Sequence, residues 1–134
     1  MDIDFAFVCD YAEASAKLGA LGIGFDTIYA PKVPCVHPSF HFVMQLRASI
    51  AEAGPKDVGV RLIDADGKDV TPPLSATMEL QPPPPGALDT QGRLVVGFNG
   101  VRFPAYGQYA MHVVVQGHEM VRIPIRVAQP PTTG

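Results

Sequence analysis

Apolar side chains recur at every second position in many short segments of this chain of 134 residues. A period of two sends alternate side chains to opposite faces of a β-strand, so each segment is predicted to be a half-buried strand. Fourteen prolines and thirteen glycines add many turns and disfavour a helical bundle. The predicted inward sets are Ile3, Phe5, Phe7 and Cys9; Phe40, Phe42, Met44 and Leu46; Val58, Val60 and Leu62; Ala76, Met78 and Leu80; Leu94, Val96 and Phe98; Tyr109, Met111, Val113 and Val115; and Val121, Ile123, Ile125 and Val127.

Turn-forming residues lie between several of these segments. Asp66-Gly67 and Asn99-Gly100 favour type I′ turns, because both central residues of that turn need a positive φ. Gly117-His118 favours a type II′ turn, in which glycine comes first. The prolines 82–85 lack backbone N–H groups and predict an extended connector between strands.

The pattern predicts an all-β fold, a two-sheet antiparallel β-sandwich of about eight strands. An immunoglobulin-like topology is the first choice and a jelly roll the second. Gly107-Gln108-Tyr109 is similar to a strand start that carries a tyrosine corner, in which the phenol bonds to nearby backbone. Pro124 on an outward position predicts a sheet edge or a bulge. We expect one domain over residues 1–128 and a flexible tail over 129–134.

Residues 11–22 fit the alternation least well. They contain good helix formers, and Leu18 and Leu21 are three positions apart. Glycines at 19, 22 and 24 weaken a helix and suit an extended, tightly packed segment. We favour a loop followed by a strand over a helix.

Composition narrows the classes of function. Ten basic and thirteen acidic residues give a net charge of −3 without a basic stripe, which predicts no nucleic-acid partner. The N-terminal "MDIDFAFVCD" lacks the features of a signal peptide, and no segment has the roughly 20 apolar residues of a membrane span. We therefore expect a cytoplasmic protein without a membrane partner, in which Cys9 and Cys35 are free thiols.

Two stretches, "FAFVCDYAEASAKLGALGIGFDTIYAP" and "FNGVRFPAYGQYAMHVVVQGHEMVRIPIRV", resemble a family of small, uncharacterised bacterial proteins known only as a domain of unknown function. The matching elements are Cys9–Glu13, Leu21–Phe25 and Gly107–Tyr109. Ile23 replaces a glycine of the family pattern, and Gln108 replaces a glutamate. The resemblance implies a β-sandwich of unknown role and brings no catalytic residues with it.

Two groups of side chains have the composition of metal sites. Asp64, Asp66 and Asp69 suggest calcium, but the glycine comes two positions too early for an EF-hand loop, so a solvated turn is favoured. Cys35, His37 and His41 are plausible zinc ligands, but a structural site needs a fourth ligand, which only His112 or His118 could supply. We expect no bound metal and no cofactor.

No set of catalytic residues emerges. Cys9 is predicted to be buried, with a raised pKa and low reactivity. Cys35 lies near histidines but has no third group to orient them. We therefore expect no enzymatic activity and regard Cys35, His37 and His41 as a candidate ligand-binding loop.

Apolar residues also occupy positions that the alternation directs outward. Val8, Val43 and Val114 would form an exposed patch if their strands were neighbours, and such a patch marks a partner interface. The first functional hypothesis is thus a non-catalytic β-sandwich that mediates protein association, including self-association as a homodimer. The alternative is a small-molecule-binding protein or minor enzyme with its site near residues 35–41.

Overall fold

The structure is a computed structural model that describes residues 1–14 and 17–131. Within these ranges the chain forms ten β-strands and one short 3-10 turn at Ile50–Glu52. No helix in them is long and apolar enough to cross a membrane. The strands are β1 (Asp2–Cys9), β2 (Tyr11–Ala14), β3 (Leu18–Leu21), β4 (Thr27–Tyr29), β5 (Cys35–Ser49), β6 (Gly54–Asp64), β7 (Leu74–Leu80), β8 (Asp89–Phe103), β9 (Gly107–Val115) and β10 (His118–Ala128).

The strands form three sheets. The first has the order β1-β5-β8, the second β4-β10-β9-β6-β7, and the third is the β2-β3 hairpin. All pairs are antiparallel except β4 with β10, which is parallel. The all-β prediction is confirmed. The description as two antiparallel sheets is too simple, because residues 11–21, predicted to begin as a loop, form a third sheet, and β4 pairs in parallel.

The first and second sheets contribute side chains to one continuous core, which we call the main core. The predicted inward positions of β5, β6, β7 and β9 occupy it, so the alternation located these strands correctly. Its buried members are Val8, Ile28, Phe40, Phe42, Met44, Leu46, Ala48, Val58, Val60, Leu62, Met78, Leu80, Val101, Phe103, Tyr109, Met111, Val113, Val115, Ile125 and Val127.

Ile3 of strand β1 packs against the main core as predicted, but the rest of the strand presents the opposite face from the one predicted. A register shift between Ile3 and Phe5 breaks its alternation. As a result, Val8 belongs to the main core, while Phe7 and Cys9 lie on the other face of the first sheet. There the β2-β3 hairpin covers a second, smaller group of apolar side chains, the outer cluster, made of Cys9, Ala12 and Val43 with Phe5, Phe7, Leu18, Ala20 and Val95 packed against them.

All three predicted turns differ from expectation. The turn between β9 and β10 consists of Gln116 and Gly117, one position earlier than predicted, since His118 already pairs with Val115. Both residues have positive φ, 51° and 79°, as a type I′ turn requires. At Asn99-Gly100 the chain does not turn at all, because β8 runs through it. A turn forms at Asp66-Gly67, closed by a hydrogen bond from Gly67 N to Asp64 O, but it is not of type I′, because only Gly67 has a positive φ.

Gly100 instead lets the long strand β8 change the side that it buries. Before it Phe98 packs against the main core, and after it Val101 and Phe103 do. A φ of 62° at Gly100 allows this change, and pairing with β5 is interrupted there, opposite Pro38. The parts of β8 before and after Gly100 therefore both contribute to the main core.

The hydrogen bonds of a tyrosine corner are present as predicted. The Tyr109 hydroxyl donates to Ala105 O at 2.6 Å and accepts from Ala105 N at 3.3 Å. Burial raises the pKa of Tyr109. The prolines 82–85 connect β7 to β8 as predicted, but the connector is not extended throughout, because a hydrogen bond from Ala87 N to Pro84 O closes a turn at Pro85-Gly86. Of the predicted tail, residues 132–134 lie outside the described residues.

Candidate functional site

The three residues of the predicted ligand-binding loop lie on strand β5 and do not converge. Cys35 packs against the main core at the start of the strand. The His37 ring lies between Phe25 and Phe40, at centroid distances of 6.1 and 5.8 Å. His41 stacks edge-on against Tyr11 at 5.3 Å, on the side covered by the hairpin. The expected loop is a strand that turns its two histidines toward different surroundings.

The local environments of these histidines suit packing more than ligation. Burial lowers the pKa of His37, and the charge of Asp10 opposes this effect. The Nδ1 atom of His41 is buried without a hydrogen-bond partner in the described chain. Among residues 1–14 and 17–131 no three His, Cys, Asp or Glu side chains lie close enough together to hold a metal ion.

Two carboxylates at the Asp66-Gly67 turn, those of Asp64 and Asp69, form hydrogen bonds or an ion pair within the protein. Asp64 Oδ1 accepts hydrogen bonds from the N–H groups of Asp66 and Lys68, both at 2.9 Å. Asp69 pairs with Arg61 Nε at 2.8 Å. These contacts stabilise the turn and leave its carboxylates turned toward different partners.

Cys9 is completely buried, as predicted, but under the hairpin rather than between the main sheets. Its thiol donates a weak hydrogen bond to Tyr11 O at 3.5 Å. Burial, with a smaller contribution from the charge of Asp10, raises the pKa of Cys9. A protonated thiol without access to solvent is a poor nucleophile.

The three valines of the predicted interface do not form an exposed patch. Val8 is 1% exposed because the irregularity in β1 turns it into the main core, and Val43 is fully buried beneath the hairpin. Only Val114, on the outward side of β9, is partly exposed. The surface that motivated the homodimer hypothesis is therefore absent.

The first two motif elements of the family resemblance meet at the base of the hairpin. Asp10 N donates to Leu21 O at 3.0 Å, and Gly24 N donates to Val8 O at 2.8 Å. The Asp10 carboxylate lies directly over Gly22, where a side chain would collide with it. These residues hold the hairpin against the first sheet, which is a structural role.

A groove opens on the other side of β8 from residues 35–41. Strand β8 is the edge of the first sheet, and the segment before β7 reaches the corresponding edge of the second sheet. Between them lies a cavity of about 410 Å³, which we call the edge groove. It is lined by residues 96–102 of β8 and by Val70, Thr71, Pro72 and Leu74.

The lining of the edge groove is apolar at its base and polar at one end. Val70, Val96 and Phe98 pack against the main core from below, and Leu74 is 39% exposed at the side. Asn99 and Arg102 are exposed, and neither side chain makes a hydrogen bond with another described residue. Arg102 is the only ionisable residue of the lining.

Two larger concavities are lined by residues of the second sheet and its adjoining loops. One, of about 520 Å³, is a shallow dish on the outer face of the second sheet, lined by small residues such as Gly59, Ser75 and Thr77. The other, of about 490 Å³, lies beside Tyr106 and residues 126–129. The edge groove differs from both in being lined by residues from the edges of the two main sheets.

Sequence reasoning missed the edge groove because its walls come from segments far apart in the chain. The sequence of residues 70–74 indicates only a proline-containing turn. The alternation around Val96 and Phe98 indicates only the inward positions of a strand. No local pattern indicates that the edges of two sheets leave a gap between them.

Comparison with solved structures gives a distant likeness. The chain matches a Pseudomonas fluorescens alkylpurine DNA glycosylase, AlkC, bound to DNA that contains an abasic site analogue, with a TM-score of 0.36 and 16% identity. The match covers 76% of the present chain and 27% of the glycosylase. At this similarity no property of the glycosylase is transferred.

The expected protein partner, including a second copy of the chain, is corrected by the burial of the residues that suggested it. Two of the three valines that suggested a protein interface are buried. The association hypothesis is therefore not retained.

Comparison with protein families gives a match over most of the chain. A search of the curated proteins returns no match. The model of a family of unknown function, DUF6941, matches residues 4–128, which include all three elements of the resemblance. The chain therefore belongs to this family of unknown function, as its motifs predicted.

Proposed function

We propose that this protein is a non-catalytic binding domain that takes a small amphipathic molecule in the edge groove. The observation that carries the proposal is the groove itself, with its apolar base and polar end. Its volume of about 410 Å³ falls within the range of roughly 300–1,000 Å³ typical of small-molecule sites. Residues 35–41 pair with one edge of β8, and the groove lies along the other edge of the same strand.

The residues of the groove favour binding over catalysis. Its polar side chains are the Thr71 hydroxyl, the Asn99 amide and the Arg102 guanidinium. None of the lining residues is a histidine, cysteine or carboxylate that could act as a general base for the hydroxyl. Such a set of groups can orient a ligand without changing it.

We also propose an immunoglobulin-like topology for the sandwich. In that fold, strands A, B and E lie in one sheet and strands G, F and C in the other. The orders β1-β5-β8 and β10-β9-β6 correspond to these two sets, with β7 in the place of strand C′. The Tyr109 corner near the start of the strand equivalent to F supports the same assignment.

A cytoplasmic location is proposed on the state of the cysteines. Cys9 and Cys35 are both free thiols, and a reducing compartment keeps thiols unpaired. Labelling of the denatured protein from its native cells should modify two thiols per chain without prior reduction. A mixed disulfide at either cysteine would contradict the proposal.

The groove can be tested with N-phenyl-1-naphthylamine, a neutral fluorescent probe that brightens in apolar sites. We expect saturable binding to the native protein and a loss of affinity of about fivefold to tenfold in Leu74→Asn, which removes apolar contact area at the side of the groove. Leu88→Asn is the matched control, since Leu88 is 86% exposed and lies outside the groove. Absence of saturable binding, or equal losses in the two variants, would overturn the proposal.

A further inference from the structure

We infer that the edge groove selects small organic anions, with the charged group bound at Arg102 and the apolar body lying toward Val96 and Phe98. This inference rests on the proposed function and adds the chemical class of the ligand. It starts from the charge of the lining, in which Arg102 is the one ionisable residue and no carboxylate is present.

The guanidinium of Arg102 is free to bind a ligand. Arg47 pairs with Asp4 and Asp89, Arg61 pairs with Asp69, and Arg93 donates to Gln45, whereas Arg122 and Arg126 of β10 are unpaired within the described residues but do not line the groove. Arg102 makes no ion pair or side-chain hydrogen bond with another described residue. Its planar set of donors matches the oxygens of a carboxylate, sulfonate or phosphate.

The change of buried side at Gly100 separates the polar end of the groove from its apolar base. Val101 and Phe103 bury their side chains in the main core, so Arg102 between them is directed away from it. Asn99 provides a second donor near this end, while Phe98 and Val96 continue the apolar base along the strand. Four residues of strand span about 13 Å, so the groove suits a molecule about 10–13 Å long with a charge at one end.

The net charge of −3 does not oppose this selectivity at close range. Charges separated by more than about 8 Å are largely screened at physiological ionic strength. A bound anion therefore experiences chiefly the guanidinium beside it. Long-range repulsion would appear only as a slower association at low salt.

The inference is tested by comparing two probes with the same aromatic skeleton. 1-Anilinonaphthalene-8-sulfonate carries a sulfonate, and N-phenyl-1-naphthylamine is neutral. We expect the anionic probe to bind at least tenfold more tightly to the native protein. Arg102→Gln should remove this preference while changing the affinity for the neutral probe less than twofold, and Arg102→Lys should restore part of it.

Arg122→Gln is the matched control, because Arg122 is an exposed arginine on the second sheet and does not line the groove. Decanoate should displace both probes more effectively than decanol, which confirms the preference without a dye. Binding of both probes with an unchanged ratio in Arg102→Gln would overturn the inference and leave the proposed function standing. Failure of both probes to bind would overturn the proposed function itself.

Discussion

The two faces of the β1-β5-β8 sheet are buried in different ways. One face packs against the five-stranded second sheet and contributes large apolar side chains, such as Phe42 and Phe103, to the main core. The other face is covered only in part, by the β2-β3 hairpin, which closes over Cys9 and Val43. The sheet is thus a central layer whose two sides have different partners of different size.

Beyond the hairpin, polar side chains replace apolar ones on the outer face. Gln45 is 6% exposed, and its amide is satisfied at both ends. It donates to Asp4 Oδ2 and accepts from Arg93 Nε, both at 2.8 Å. Arg47 then joins Asp4 to Asp89. A face of a sheet can therefore be closed by hydrogen bonds where no layer covers it, provided that each buried polar group has a partner.

The largest predicted difference between the two faces is in the free energy of unfolding lost when a phenylalanine is replaced by alanine. Phe42 is fully buried in the main core, and Phe42→Ala should lower the free energy of unfolding by about 4 kcal/mol through lost transfer energy and a cavity. Phe7 is only half-buried beside the outer cluster, so Phe7→Ala should cost about half as much. Urea unfolding of both variants measures these losses, and equal losses would break the distinction between the two faces.

A matched pair of valines gives a finer test. Val8 faces the main core and Val43 the outer cluster, and both are essentially inaccessible to solvent. Val8→Ala should lower the free energy of unfolding by about 2 kcal/mol, and Val43→Ala by about 1 kcal/mol, because the hairpin can close over a small cavity more readily than a sheet can.

Amide hydrogen exchange distinguishes the two sites further. Val43→Ala should accelerate exchange at amides of β2 and β3 more than at those of β9, because the hairpin opens locally before the sandwich unfolds. Val8→Ala should instead accelerate exchange at amides of the two main sheets. The same exchange pattern in both variants would mean that the hairpin and the sandwich open as one unit.

The smallest expected effect concerns the polar part of the outer face. Hydrogen bonds from Arg47 and then Gln45 lower the pKa of Asp4 below its usual value of 3.8. Its carboxylate therefore stabilises the fold above about pH 4, and this contribution is lost as the pH falls through the lowered pKa.

Asp4→Asn should reduce the thermal midpoint at pH 7 by less than either valine variant, and the difference from the native protein should shrink toward pH 3. Asp2→Asn is the control, since Asp2 is exposed on the same strand and makes no ion pair with a described residue. A difference that grows as the pH falls would contradict this account of Asp4.

Local sequence patterns predicted the positions of the strands well. They predicted less well which layer covers each face of a strand. The inward positions of β6 and β9 were correct because each strand has one buried side, and the Tyr109 corner was recognised from its neighbours. The face of β1 was wrong because Phe5 and Phe7 are as apolar as Ala6 and Val8, and one irregularity exchanges them. Val43 was assigned to an exposed patch because nothing near it in sequence indicates the hairpin that covers it.

The candidate site was the least predictable part of the molecule. Cys35, His37 and His41 attracted attention by residue type, yet their strand directs the two histidines into different surroundings. The edge groove joins residues 70–74 to residues 96–102, and its shape depends on how two sheet edges diverge.

The sequence by itself determined that this chain is built from strands, because a period of two in apolar side chains satisfies a pleated layer and no other regular structure. It also determined family membership, because the family model matches residues 4–128. Only the tertiary structure decided which side of β1 is buried, what covers Val43 and where a ligand can enter, since alternation fixes two faces for every strand but does not say which layer, or how much water, lies against each.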